Sequence, residues 1–103
     1  MITLVKTYTR PSVTVPWVAQ AFIPRDTYLA RFNGHYLSTG KCLGEYVEIS
    51  DDDLVMTYTA YWKTIEDYEE YSADPILRAY WDARNQYYGD TDVAVGKTTI
   101  STT

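Results

Sequence analysis

Nothing in this sequence can close an internal disulfide, because Cys42 is its only cysteine. His35 is likewise the only histidine, so no Cys/His set for a structural zinc exists, and neither a metal site nor a cofactor is expected. Basic residues are sparse and scattered: nine Lys and Arg face fourteen Asp and Glu, a formal net charge of −5. Phosphate recognition needs clustered cations, which this chain lacks, so nucleic acid is excluded as a partner. Long apolar runs are missing too. Ile2, Leu4 and Val5 meet Lys6 at once, too little for a secretory core or a bilayer span, and the expectation is a cytoplasmic protein with no membrane role.

What the chain does have is aromatic bulk. Eleven Tyr and three Trp in 103 residues bring large apolar bodies with polar tips that need partners or water, a composition suited to interfaces and wet pockets. The length fits one domain, residues 1–103, and a lone domain of this size buries only about 60 to 70% of its unfolded surface.

Ile2 to Thr9 reads as a strand, with Ile2, Leu4, Lys6 and Tyr8 on one face and Thr3, Val5, Thr7 and Thr9 on the other. Pro11 and Pro16 remove ladder donors, which makes Arg10 to Trp17 a loop with Trp17 covering something. From Pro24 to Thr39, Tyr28, Leu29, Phe32, Tyr36 and Leu37 recur at helical spacing, ended by Gly40 and weakened by Gly34. Cys42 to Ser50 and Leu54 to Trp62 form two strands of a hairpin, turned by Asp51, Asp52 and Asp53. Thr64 caps a second helix, and Asp74-Pro75 interrupts it and starts a fresh one. That last helix carries Ile76, Leu77, Tyr80, Trp81, Arg84, Tyr87 and Tyr88 along one face until Gly89. Val93 to Ile100 reads as a final strand weakened by Gly96, followed by a Thr-rich tail with little to hold it.

The order is βαββαβ, an α+β chain of ferredoxin-like type with a four-stranded antiparallel sheet. Both helices would cover one sheet face. The other, four strands at about 4.8 Å spacing and roughly 20 Å long, would expose on the order of 400 Å². A mostly apolar patch of that size usually finds a partner, so a homodimer through the open face is expected.

The run Met56-Thr57-Tyr58-Thr59-Ala60-Tyr61-Trp62, the helix opening Lys63-Thr64-Ile65-Glu66-Asp67-Tyr68, and then Tyr71 and Asp74-Pro75 resemble the dimeric α/β-barrel superfamily, within it the antibiotic-biosynthesis monooxygenase type. The resemblance in element order covers most of the chain and the specific residues about twenty positions. It implies two sheets closing a barrel, with a cavity in each subunit between sheet and helices. Some such proteins oxidise aromatic polyketides without a cofactor and others degrade haem. The haem-degrading members place a His on their second helix, and here Thr64 to Tyr88 has none, which argues against haem chemistry.

Four residues are candidates for ligand binding: Tyr58, Trp62, Tyr80 and Arg84. Trp62 closes an apolar strand face and either stacks on a flat ligand or packs in the core. Arg84 lies amid the aromatic stripe of the last helix and either meets an anionic group or developing oxyanion, or makes an interface ion pair or stacks on a ring. Lys6 and Glu45 each interrupt an apolar strand face and are either buried partners, cavity residues or solvated edge positions. His35 is the one side chain whose reference pKa suits a base near neutrality, against a plain reading as a half-exposed surface residue. Cys42 reads as a small buried residue. Three functions are compatible with this set: a homodimer binding a small, largely apolar molecule, a cofactor-independent monooxygenase-like enzyme acting on an aromatic or enolisable molecule with His35 or a Tyr as base, and a structural dimer with a filled interior.

Overall fold

β-Branched and aromatic residues at alternate positions build the sheet. In the computed structural model, which describes residues 1–18 and 25–102, β1 (Ile2–Thr9) is central and pairs antiparallel with β3 (Val55–Trp62) over its whole length, from Ile2 opposite Trp62 to Thr9 opposite Val55. β2 (Cys42–Ile49) forms the outer edge beyond β3, with a bulge between Cys42 and Gly44. The Asp triplet makes the hairpin as expected: Ser50 Oγ and Asp52 Oδ1 accept the Val55 and Leu54 amides, at 2.9 and 3.1 Å.

The helices keep their expected places with altered outlines. Pro24 lies outside the described residues. α1 (Asp26–Arg31) widens into a π-helical stretch, Phe32–Leu37, where Ser38 N bonds to Asn33 O. The Ser38 and Thr39 hydroxyls donate to the carbonyls of Gly34 and His35, so a segment of weak helix formers is closed by side-chain donors. Gly40, at φ +79°, ends it as the spacing predicts. Thr64 caps α2 (Ile65–Ser72) by accepting the Asp67 amide. Asp74 caps the 3-10 turn Pro75–Leu77, which runs into α3 (Arg78–Asp90), one residue past Gly89.

The final strand is corrected. Instead of one run over Val93 to Ile100, two short pieces, β4 (Ala94–Val95) and β5 (Thr99–Thr102), share the free edge of β1, giving the order β2-β3-β1 and then β4 and β5. The Thr-rich tail is held after all, since Ser101 and Thr102 pair with Thr3 and Ile2. Its break lies at Gly96, whose amide meets Thr7 O at 2.7 Å.

The register also corrects the expected apolar open face. β1 and β3 turn Ile2, Leu4, Tyr8, Met56, Tyr58, Ala60 and Trp62 toward the helices, and the uncovered side carries Thr3, Thr7, Thr9, Thr57, Thr59 and Thr99 around Val5, Val55, Tyr46 and Tyr61. Threonine methyls share that face with threonine hydroxyls, which makes it mixed in polarity.

On the covered side the core is in two parts. Ile2, Ala60, Trp62 and Cys42 pack on Phe32, Tyr36 and Leu77. At the other end Tyr8 packs on Tyr88, Val93, Val18 and Trp17, and Trp17 lies 4.4 Å beneath the Arg10 guanidinium. Tyr58 touches both clusters, and the space between them is not filled.

Candidate ligand-binding cavity

Between the two clusters the sheet presents a polar rung: Lys6 of β1 lies opposite Tyr58 of β3, which lies opposite Val47 of β2. Strand alternation aims these side chains at the helices together with Leu4, Tyr8 and Met56. On α3, Tyr80, Arg84 and Tyr88 recur every four residues and face the same space. α2 contributes Tyr68 and Tyr71, and α1 contributes Tyr28.

The space has two lobes. One, about 220 Å³, is lined by Leu4, Lys6, Tyr68, Trp81 and Asn85. The other, about 290 Å³, is lined by Tyr28, Phe32, Glu45, Val47, Tyr80 and Tyr88. Tyr8, Tyr58, Tyr71 and Arg84 border both.

Tyrosine hydroxyls, Lys6, Glu45, Asn85 and Arg84 are among its polar groups. The Tyr28 and Tyr71 hydroxyls bond to each other at 2.8 Å, and Tyr58 donates to Glu45 Oε2. Burial, the Glu45 carboxylate and Tyr71 push the Tyr58 phenol well above its ordinary value. Burial takes Tyr71 up to about 12. Burial, and then the like charge of Arg84, hold the Lys6 ammonium below the usual lysine value.

Arg84 is the anomaly. Its Nε is buried and meets no hydrogen-bond acceptor among the described residues, while Nη2 reaches only Asn85 Oδ1 at 3.5 Å. Neither an ion pair within the chain nor the ring stacking open to it in sequence is formed among the described residues.

Of the candidates read from sequence, Tyr58, Tyr80 and Arg84 converge on the cavity, Tyr80 stacking on Tyr28 at 4.3 Å. Trp62 does not. At 1% exposure it is a core residue, with Tyr71, Tyr36 and Tyr68 against its ring. His35 is placed elsewhere as well: its Nε2 lies 2.7 Å from Glu70 Oε2, the carboxylate that also takes Lys41 at 2.5 Å, and it lines neither lobe. Chain separation hid Glu70 from the sequence reading.

Lys6 and Glu45 are not partners of one another. Glu45 is exposed on the β2 edge and takes the Tyr58 hydroxyl, whereas Lys6 sits half-buried on the central strand, 5.7 Å above the Tyr8 ring. Their interruption of apolar faces was the signal that marked them. Tyr28 and Tyr71 carried none, since at helical spacing they look like core residues.

No protein-family model matches the sequence, and no curated protein does. Solved structures match over the full length of the chain. One is a Deinococcus radiodurans protein proposed as an antibiotic biosynthesis monooxygenase, with 15% identity, 92% of that chain covered and a TM-score of 0.60. Another is Rv0793 from Mycobacterium tuberculosis, with 14% identity, 95% of that chain covered and a TM-score of 0.61. This chain has their fold, an α+β ferredoxin-like arrangement with an antiparallel sheet and helices on one face.

Proposed function

We propose that the chain binds a small, largely apolar molecule in the cavity between sheet and helices, with a polar group of that molecule met by Arg84 or a tyrosine hydroxyl. The observation that carries this is the buried Arg84 Nε, left without an acceptor among the described residues on the wall of a space rich in aromatic rings. A buried donor left unsatisfied costs about 1 to 3 kcal/mol, and more when charged, so an occupant that accepts from it offsets a standing penalty. Fluorescence titration with the neutral aromatic probe N-phenyl-1-naphthylamine, followed by a crystal structure of the complex, tests it. Saturable binding with density in the cavity is expected, and a probe that stays in solution or sits elsewhere overturns it.

A second reading, a cofactor-independent monooxygenase-like enzyme acting on an aromatic or enolisable molecule, draws on Glu45. Glu45 is a carboxylate lining the lobe that Arg84 also borders. Proton removal next to a carbonyl needs a base and a cation for the enolate, which these two supply. His35 is too far removed for that role, and phenols with raised pKa are poor bases at neutral pH. Oxygen uptake with an enolisable aromatic ketone, abolished in Glu45→Gln, is the expected result for this reading.

The threonine and tyrosine face is proposed to be covered by a second copy. Val5, Val55, Tyr46, Tyr61 and the threonine methyls provide its apolar area. Sedimentation at micromolar concentration should give twice the chain mass, and a monomer at all concentrations defeats this part.

A further inference from the structure

We propose that the ligand is an organic anion, an aromatic body carrying a carboxylate or comparable acidic group that Lys6 and Arg84 hold between them. This rests on the cavity reading above and names the chemistry of its occupant.

The chain has five more acidic than basic residues, so carboxylates are in ample supply. Elsewhere they are used: Arg10 pairs with Asp53, Arg31 with Asp74, and Lys41 with Glu70. Lys6 and Arg84 face one lobe, and among the described residues its lining contains no Asp or Glu. Two like charges at a half-buried site repel, and desolvation adds to the cost, so the arrangement is unfavourable until a negative group enters. Glu45, the carboxylate of the neighbouring lobe, is engaged by Tyr58.

The surroundings suit an acid on a flat frame. The guanidinium has a planar fork that matches a carboxylate, and the ammonium adds a point charge from the strand side. Asn85 and Tyr68 border the lobe with further donors, while Tyr71 and Trp81, 5.4 Å apart and edge to face, wall it with rings.

The test compares two probes with the same ring system, 8-anilinonaphthalene-1-sulfonate and neutral N-phenyl-1-naphthylamine, on the full chain. The sulfonate should bind the unaltered protein about tenfold more tightly or better, as expected for one charge-assisted contact. Lys6→Met and Arg84→Met should each remove about that tenfold, leave the neutral probe within about twofold, and Lys6→Arg should restore the preference. Equal binding of the two probes, or variants that weaken both alike, overturns the anion assignment and leaves the cavity reading standing. Binding of neither probe overturns both. Should a variant fail to fold, the unaltered protein still decides: NMR of its reductively methylated lysines should show the Lys6 pKa rising when the sulfonate probe is added, and no change counts against the proposal.

Discussion

Asp74 shows how much one side chain can organise. Almost fully buried, its carboxylate takes the Tyr36 hydroxyl at 2.5 Å and Arg31 Nε at 2.9 Å, and its Oδ1 takes the Ile76 amide at 2.9 Å. Burial alone would raise its pKa, yet these bonds hold it below the ordinary 3.8. Asp74→Ala removes a cap and strands a buried phenol, and is expected to cost about 3 kcal/mol in denaturant melts. The stability that the carboxylate contributes is present above the unfolded carboxyl pKa and disappears as pH falls through its lower folded value. Lys6 is likewise held below its ordinary value, so its ammonium loses its charge early as pH rises. Arg84, Tyr8, Tyr58, Tyr68 and Tyr71 share its lobe, and burial with the Arg84 charge lowers its pKa from 10.5. Sulfonate-probe affinity should therefore decline with rising pH before the ordinary lysine range is reached, and Arg84→Met should move that decline upward.

Among the elements, the split last strand has an identifiable cause. A Cβ on Gly96 would collide with Thr7 Oγ1 and come within 3.1 Å of the Thr7 carbonyl oxygen, so close approach at this point requires glycine. Gly96→Ala is expected to lose about 1 to 3 kcal/mol by thermal melting, and Thr7→Ala in the same chain to recover part of it, giving a coupling that a double-mutant cycle reads directly. The hairpin and the helix caps were legible beforehand because turn and cap chemistry acts over two to four residues. The π-helical stretch was not, since Phe32 and Tyr36 keep a spacing that an ordinary helix also satisfies.

Across the whole molecule the tyrosines form a common titrating set. Burial raises Tyr8, Tyr28, Tyr58, Tyr71, Tyr80 and Tyr88 above the ordinary 10.0. In alkali the unfolded chain releases protons that the folded one retains, so the folded form binds more of them and loses stability as pH climbs past about 10. Denaturant midpoints should drop steeply between about pH 9 and about pH 11, and phenolate absorbance should develop in step with unfolding. If the phenolates form while the fold stays intact, these rings are wetter than their packing indicates.

The sequence by itself determined the element order, the strand faces, the caps and the presence of cations on apolar stripes, because those follow from alternation and spacing along a few residues. Which of the chain's cations would be neutralised was decided only in three dimensions. Arg10 and Arg31 each find their carboxylate 43 positions away, and His35 finds Glu70 at 35. Trp62 likewise joined the core, not the cavity, because Tyr36 from the π-helical stretch and Tyr68 and Tyr71 from α2 close over its ring. Charge pairing and the filling of space depend on distances that no local pattern records, which is why the unpaired Arg84 and the hollow beside it emerge only once the chain is folded.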